Sequence, residues 1–167
     1  KPLALIMSDL VEPNIWISKV NQELKTPPLN QELVIQYTWE PALGTDKYSI
    51  FVLKNLENNK YRAFKKYWDT TYLPDNPVLY RLENTGVRTK ELDITKQQLI
   101  DVFDEIISVS NYPTTVNNKD ALILDGIEET LKINHKGIIQ NYTWNSSTRD
   151  LEIIQPIIDK ILLLGKN

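Results

Sequence analysis

From Leu33 onward apolar and polar residues alternate, with Leu33, Ile35, Tyr37 and Trp39 on one side and Val34, Gln36 and Thr38 on the other, up to Pro41. A period of two marks a half-buried strand. A second strand from Tyr48 to Lys54 follows a turn containing Gly44. Asn55 to Asn59 then make a polar turn before a third strand, Lys60 to Trp68. Pro74 and Pro77 punctuate the next loop, and Val78 to Glu83 and Val87 to Leu92 read as further strands on either side of Asn84-Thr85-Gly86.

The period changes at Thr95. Thr95 and Gln98 have the spacing of a capping box, and Leu99, Val102, Phe103, Ile106 and Ile107 form the stripe of an amphipathic helix ending near Ser110. After a polar connector, Ala121 to Leu124 is a short apolar segment closed by Asp125-Gly126. Ile127 to Ile133 and Ile138 to Trp144 then flank Asn134-His135-Lys136-Gly137 as a hairpin. The last element starts at Ser147 and buries Leu151, Ile154, Ile158, Ile161 and Leu162. Pro156 kinks or restarts it, and Gly165 stops it. Residues 1–30, broken by Pro13, Pro27 and Pro28, read as an irregular lead-in around Trp16.

Strands in antiparallel runs with helices between them predict an α+β fold: an antiparallel sheet of about six strands with two amphipathic helices packed on one face. One domain spans 1–167, with the lead-in over 1–30, strands then a helix over 31–110, and a hairpin then a helix over 120–167. Tyr37-Thr38-Trp39 recurs as Tyr142-Thr143-Trp144, which fits either a duplicated half or a chance repeat.

The run from Tyr37-Thr38-Trp39, through Leu92-Asp93-Ile94-Thr95 opening a helix, to Leu124-Asp125-Gly126, a hairpin ending at Trp144 and a closing helix, resembles a class of uncharacterised bacterial α+β domains. The resemblance covers residues 33–167 and implies a fold and no activity. Asn145-Ser146 stands where that class has Pro after its last Trp.

Composition narrows the chemistry. No cysteine means no thiol nucleophile, thiolate zinc site or iron–sulfur cluster, and a single histidine removes two-histidine metal sites within the chain. Five scattered glycines allow neither of the common nucleotide-binding loops. The reading is therefore no metal and no cofactor. A net charge of −3 gives no global pull toward nucleic acid or an anionic membrane, and no apolar run is long enough to span one. Heavy use of Ile, Lys and Asn points to an AT-rich bacterial genome, and a start other than Met leaves room for a removed export signal. An extracytoplasmic, exported or lipoprotein-like protein is the expectation.

Four groups of residues invite a functional reading. Lys60, Arg62, Phe64, Lys66 and Trp68 share one face of the third strand, with Tyr61, Ala63, Lys65 and Tyr67 on the other. Interleaved basic and aromatic residues suit a polyanion platform, while lysines also guard the edge strand of a sheet. Trp39 and Trp144 supply large apolar contact area, and Asp125 suits either a turn or a ligand contact. His135, placed in a four-residue turn, is expected to be exposed, so its loss should do little.

No catalytic residue is assigned. Trp39, Arg62, Phe64, Lys66, Trp68, Asp125 and Trp144 are the binding candidates. They imply a non-enzymatic binding domain that engages a protein or polymer, nucleic acid not being favoured. The alternative is a small carboxylate-dependent hydrolase built on Asp125 with Glu128 or Glu129.

Overall fold

The computed structural model describes residues 13–41, 46–69, 85–109, 115–117, 127–145 and 152–166. They form an α+β fold on one open sheet. Its strands are β1 (Glu32–Pro41), β2 (Tyr48–Lys54), β3 (Tyr61–Trp68), β4 (Val87–Leu92), β5 (Thr115–Asn117), β6 (Ile127–His135) and β7 (Ile138–Asn145). They lie in the order β4-β3-β2-β1-β6-β7-β5. Six are antiparallel neighbours, and the short β5 adds to the edge of β7 in parallel. The helices are α1 (Pro13–Lys25), α2 (Lys96–Ser108) and α3 (Gln155–Leu162). The strands expected at Val78–Glu83 and Ala121–Leu124, and the helix start at Ser147, lie outside the described residues.

Because opposed residues in an antiparallel ladder share a face, the registers resolve one face of the sheet into rows. One row runs Leu92, Ala63, Val52, Ile35, Ile133, Gln140 from β4 to β7; the next runs Lys90, Lys65, Ile50, Tyr37, Leu131, Tyr142. A third reads Arg88, Tyr67, Tyr48, Trp39, Glu129, Trp144. Apolar members of these rows share a core with Val102 and Ile106 of α2 and with Ile154, Ile157, Ile158 and Ile161 at α3. Each of these side chains stabilises the fold by roughly 1.5–3 kcal/mol when removed from water.

Helix α2 begins as its sequence dictates. Thr95 accepts from the Gln98 backbone N–H, and Gln98 Oε1 accepts from that of Thr95. The same Gln98 side chain donates to the Leu163 carbonyl at 3.0 Å, tying the two helices together. Helix α3 restarts at Pro156, whose missing N–H costs nothing in a first turn. At its far end Gly165, at φ +72°, lies so close to β4 that a Cβ there would stand 2.9 Å from the Leu92 Cβ.

The lead-in expected to be irregular contains α1. Pro13 breaks nothing there because it stands at the helix start, where proline is tolerated. Trp16, Val20 and Leu24 form its buried stripe and pack on Trp68, on the face of the sheet opposite α2 and α3. The Lys66 ammonium donates to the Glu23 carbonyl and the Gln36 amide to the Lys25 carbonyl, each at 3.0 Å. The Lys25 carbonyl at the end of the helix is thereby satisfied from the sheet, and the Glu23 carbonyl, which also accepts from the Thr26 backbone N–H at 3.3 Å, gains a second donor.

Candidate ligand-binding site

The basic-aromatic face of β3 is mostly internal. Strand β3 lies between β2 and β4, so its lysines do not guard an edge. Lys66 is buried beneath α1, and burial pushes its ammonium below the usual lysine range. Phe64 packs with Phe51 and Leu53, and Trp68 meets Trp16 with ring centroids 5.5 Å apart. Arg62 is held by both oxygens of Glu91, at 2.8 and 2.7 Å, with its guanidinium over the Phe64 ring. These candidates hold the fold together.

The opposite face of the same strand opens onto a cavity of about 550 Å³, lined by Trp39, Asp46, Lys47, Tyr48, Lys65, Tyr67, Trp68 and Lys90. Trp39 and Tyr48 stack with planes 17° apart, and the Lys65 ammonium sits 4.5 Å from the Tyr48 ring centroid. Tyr67 is 38% exposed. Among the sequence candidates, Trp39 and Trp68 both contribute to this lining, Trp68 while its ring packs on Trp16, whereas Arg62, Phe64 and Lys66 do not line it. Asp125 lies outside the described residues. Tyr48, Lys65, Tyr67 and Lys90 were not among the binding candidates, although Lys65 and Tyr67 were already assigned to the second face of β3.

Behind Trp39 lies a buried carboxyl. Glu129 faces Trp39 of β1 on one side and Trp144 of β7 on the other. The repeated Tyr-Thr-Trp tripeptides thus flank β6 in matching register. The Tyr37 hydroxyl donates to Glu129 Oε2 at 2.6 Å, and the Trp144 side chain is also hydrogen-bonded to that carboxyl. Burial pushes Glu129 above the usual carboxylate range against the pull of these two donors. The Tyr37 hydroxyl is pushed far up by burial and by its carboxylate neighbour, so it remains a proton donor.

His135 is 4% exposed, not displayed in a turn. The strands continue through His135 to Ile138, leaving a two-residue turn in which Lys136 and Gly137 both take positive φ. The imidazole stacks on Phe103 at 3.9 Å, and burial, with Lys136 and Lys54 nearby, lowers its pKa.

Glu128 and Glu129 project to opposite faces, Glu128 lying 4.0 Å from Lys25. Among the described residues, Asp46 is the only carboxyl lining the cavity, and no cluster of metal-ligating side chains occurs. No described helix is long and apolar enough to cross a membrane. No family model matches this chain, and neither a curated protein nor a solved structure does so.

Proposed function

We propose that this chain is a non-enzymatic bacterial binding module, of the exported or lipoprotein-like kind, that receives a small group of its partner in the Trp39–Tyr48–Tyr67 cavity. One observation carries the reading: the cavity is walled by aromatic rings and lysines, whereas the perturbed carboxyl, Glu129, is tied to Tyr37 and Trp144 behind Trp39. A cavity of this volume, with a few charged groups among rings, is the usual form of a site that binds a small group. A carboxylate-dependent hydrolase needs two carboxyl groups converging on a substrate, and among the described residues Asp46 stands alone in the lining.

The test is capture from a bacterial lysate on immobilised protein, with Tyr67→Ala as the comparison because that ring is exposed. A protein or polymer retained by the parent and lost by the variant supports the reading. Equal retention by both refutes it, as does turnover of ester or glycoside substrates that Glu129→Gln abolishes.

A further inference from the structure

We infer that the group entering this cavity carries a negative charge on a flat ring, the charge meeting Lys65 and Lys90 and the ring lying against Tyr67 and Trp39. The inference rests on the binding reading above and gives it a chemical class.

Lys65 and Lys90 are directly opposed across β3 and β4 and share the face on which the cavity opens. Like charges so placed destabilise a sheet unless something of opposite sign lies between them. Neither has an acidic partner among the described residues: Arg62 takes Glu91 on the far face, and Arg88 takes Asp69 at 3.7 Å. The chain just beyond α3 brings a third cation toward this face, since Gly165 abuts Leu92; burial first, then Lys166 and Lys90, push the Lys65 ammonium below the usual lysine range. A protein of net charge −3 thus gathers positive charge at the mouth of one cavity. Ammonium groups on flexible stems suit a compact phosphate, sulfate or carboxylate. Lys65 does not swing freely, because its ammonium is seated over the Tyr48 ring, 4.5 Å from the centroid. Tyr67, Tyr48 and Trp39 follow one another across β3, β2 and β1 in the lining, and the exposed ring at Tyr67 offers a surface of the kind on which another ring stacks.

The experiment is two-dimensional NMR titration of the isotope-labelled full chain with phenyl phosphate, benzoate, benzyl alcohol, benzylamine and inorganic phosphate. Phenyl phosphate or benzoate should shift the amides of Tyr48, Lys65, Tyr67 and Lys90 and the Trp39 indole. The stronger of these two tells which anion the site prefers. Benzyl alcohol should bind roughly tenfold or more weaker, the loss expected for a charge-assisted hydrogen bond. Lys65→Gln/Lys90→Gln should bring the anions down to the alcohol's affinity, whereas Lys132→Gln on the other face should change nothing. Raising the salt concentration should weaken anion binding in the parent, a readout that needs no variant. Anions that bind as tightly to the double variant, or shift residues elsewhere, overturn the inference. Benzyl alcohol or benzylamine matching the anions at this cavity, or failure of every probe to shift it, also overturns the inference while leaving the binding reading intact; that reading falls on equal retention by parent and Tyr67→Ala in the capture experiment.

Discussion

Replacing Tyr37 with Phe removes the hydroxyl that donates to Glu129 at 2.6 Å and leaves the ring in its row. The cost depends on whether Glu129 is charged. A hydrogen bond between neutral groups contributes about 0.5–1.5 kcal/mol and one to a charged group about 1.5–3 kcal/mol. Trp144 still serves the carboxylate in the variant, which keeps the cost below that of a bare buried charge. Burial raises the Glu129 pKa in the folded state, so over the interval above the ordinary carboxylate value the folded protein holds a proton that the unfolded chain has released. The stability due to this group is complete below that ordinary value and is lost as the pH rises through the raised one. Tyr37→Phe should therefore cost about 0.5–1.5 kcal/mol below the ordinary carboxylate value and about 1.5–3 kcal/mol once the pH has passed the raised one. Glu129→Gln keeps an acceptor for both donors and never ionises, so it should be more stable than the parent above the raised value and lack this part of the slope. Urea unfolding of parent, single and double variants across that range measures both effects. Equal cost of Tyr37→Phe at the two ends, or an unchanged slope in Glu129→Gln, would refute the assignment of a strained, buried carboxyl to this position.

Three further outcomes follow from the packing. Gly165→Ala places a side chain at positive φ and against Leu92, and should lower stability by about 1–3 kcal/mol in thermal unfolding. His135→Ala should cost about 1–3 kcal/mol through loss of the Phe103 stack. With its folded pKa depressed, His135 also gives the parent stability that is full above the ordinary imidazole value and falls as the pH drops through the lowered one, a slope absent from His135→Ala. Trp16→Ala should cost about 3–5 kcal/mol and release α1, read as lost amide protection from exchange over residues 14–25.

Period and turn chemistry made much of the fold legible. The limits of β2 and β4 and the Thr95–Gln98 box stand in the structure as read from alternation and spacing, because each depends on neighbours within a few residues. Helix α1 escaped because three prolines were weighed as breakers, whereas Trp16, Val20 and Leu24 at intervals of four outweigh one proline at a helix start. His135 was misplaced by the length of a turn: two positive φ angles at Lys136 and Gly137 close the hairpin in two residues and draw the imidazole into the ladder. The site was half legible. Alternation sorted β3 into its two faces, but which face a helix covers is decided by a partner 43 residues away, Glu23 beneath Lys66. Nothing local to β3 distinguishes a lysine that ends a helix from a lysine at a cavity mouth.

The way α1 is finished also orders events in time. A 13-residue helix is marginal by itself in water. The groups that complete it are Gln36 on β1, Lys66 on β3 and the ring of Trp68, none of which exists while the helix is leaving the ribosome. The first described segment to be made must therefore wait for the β1–β2–β3 meander before its apolar stripe and its Lys25 carbonyl have their partners. Nascent chains halted short of Trp68 would carry an unanchored apolar stripe, so α1 is made early and anchored late.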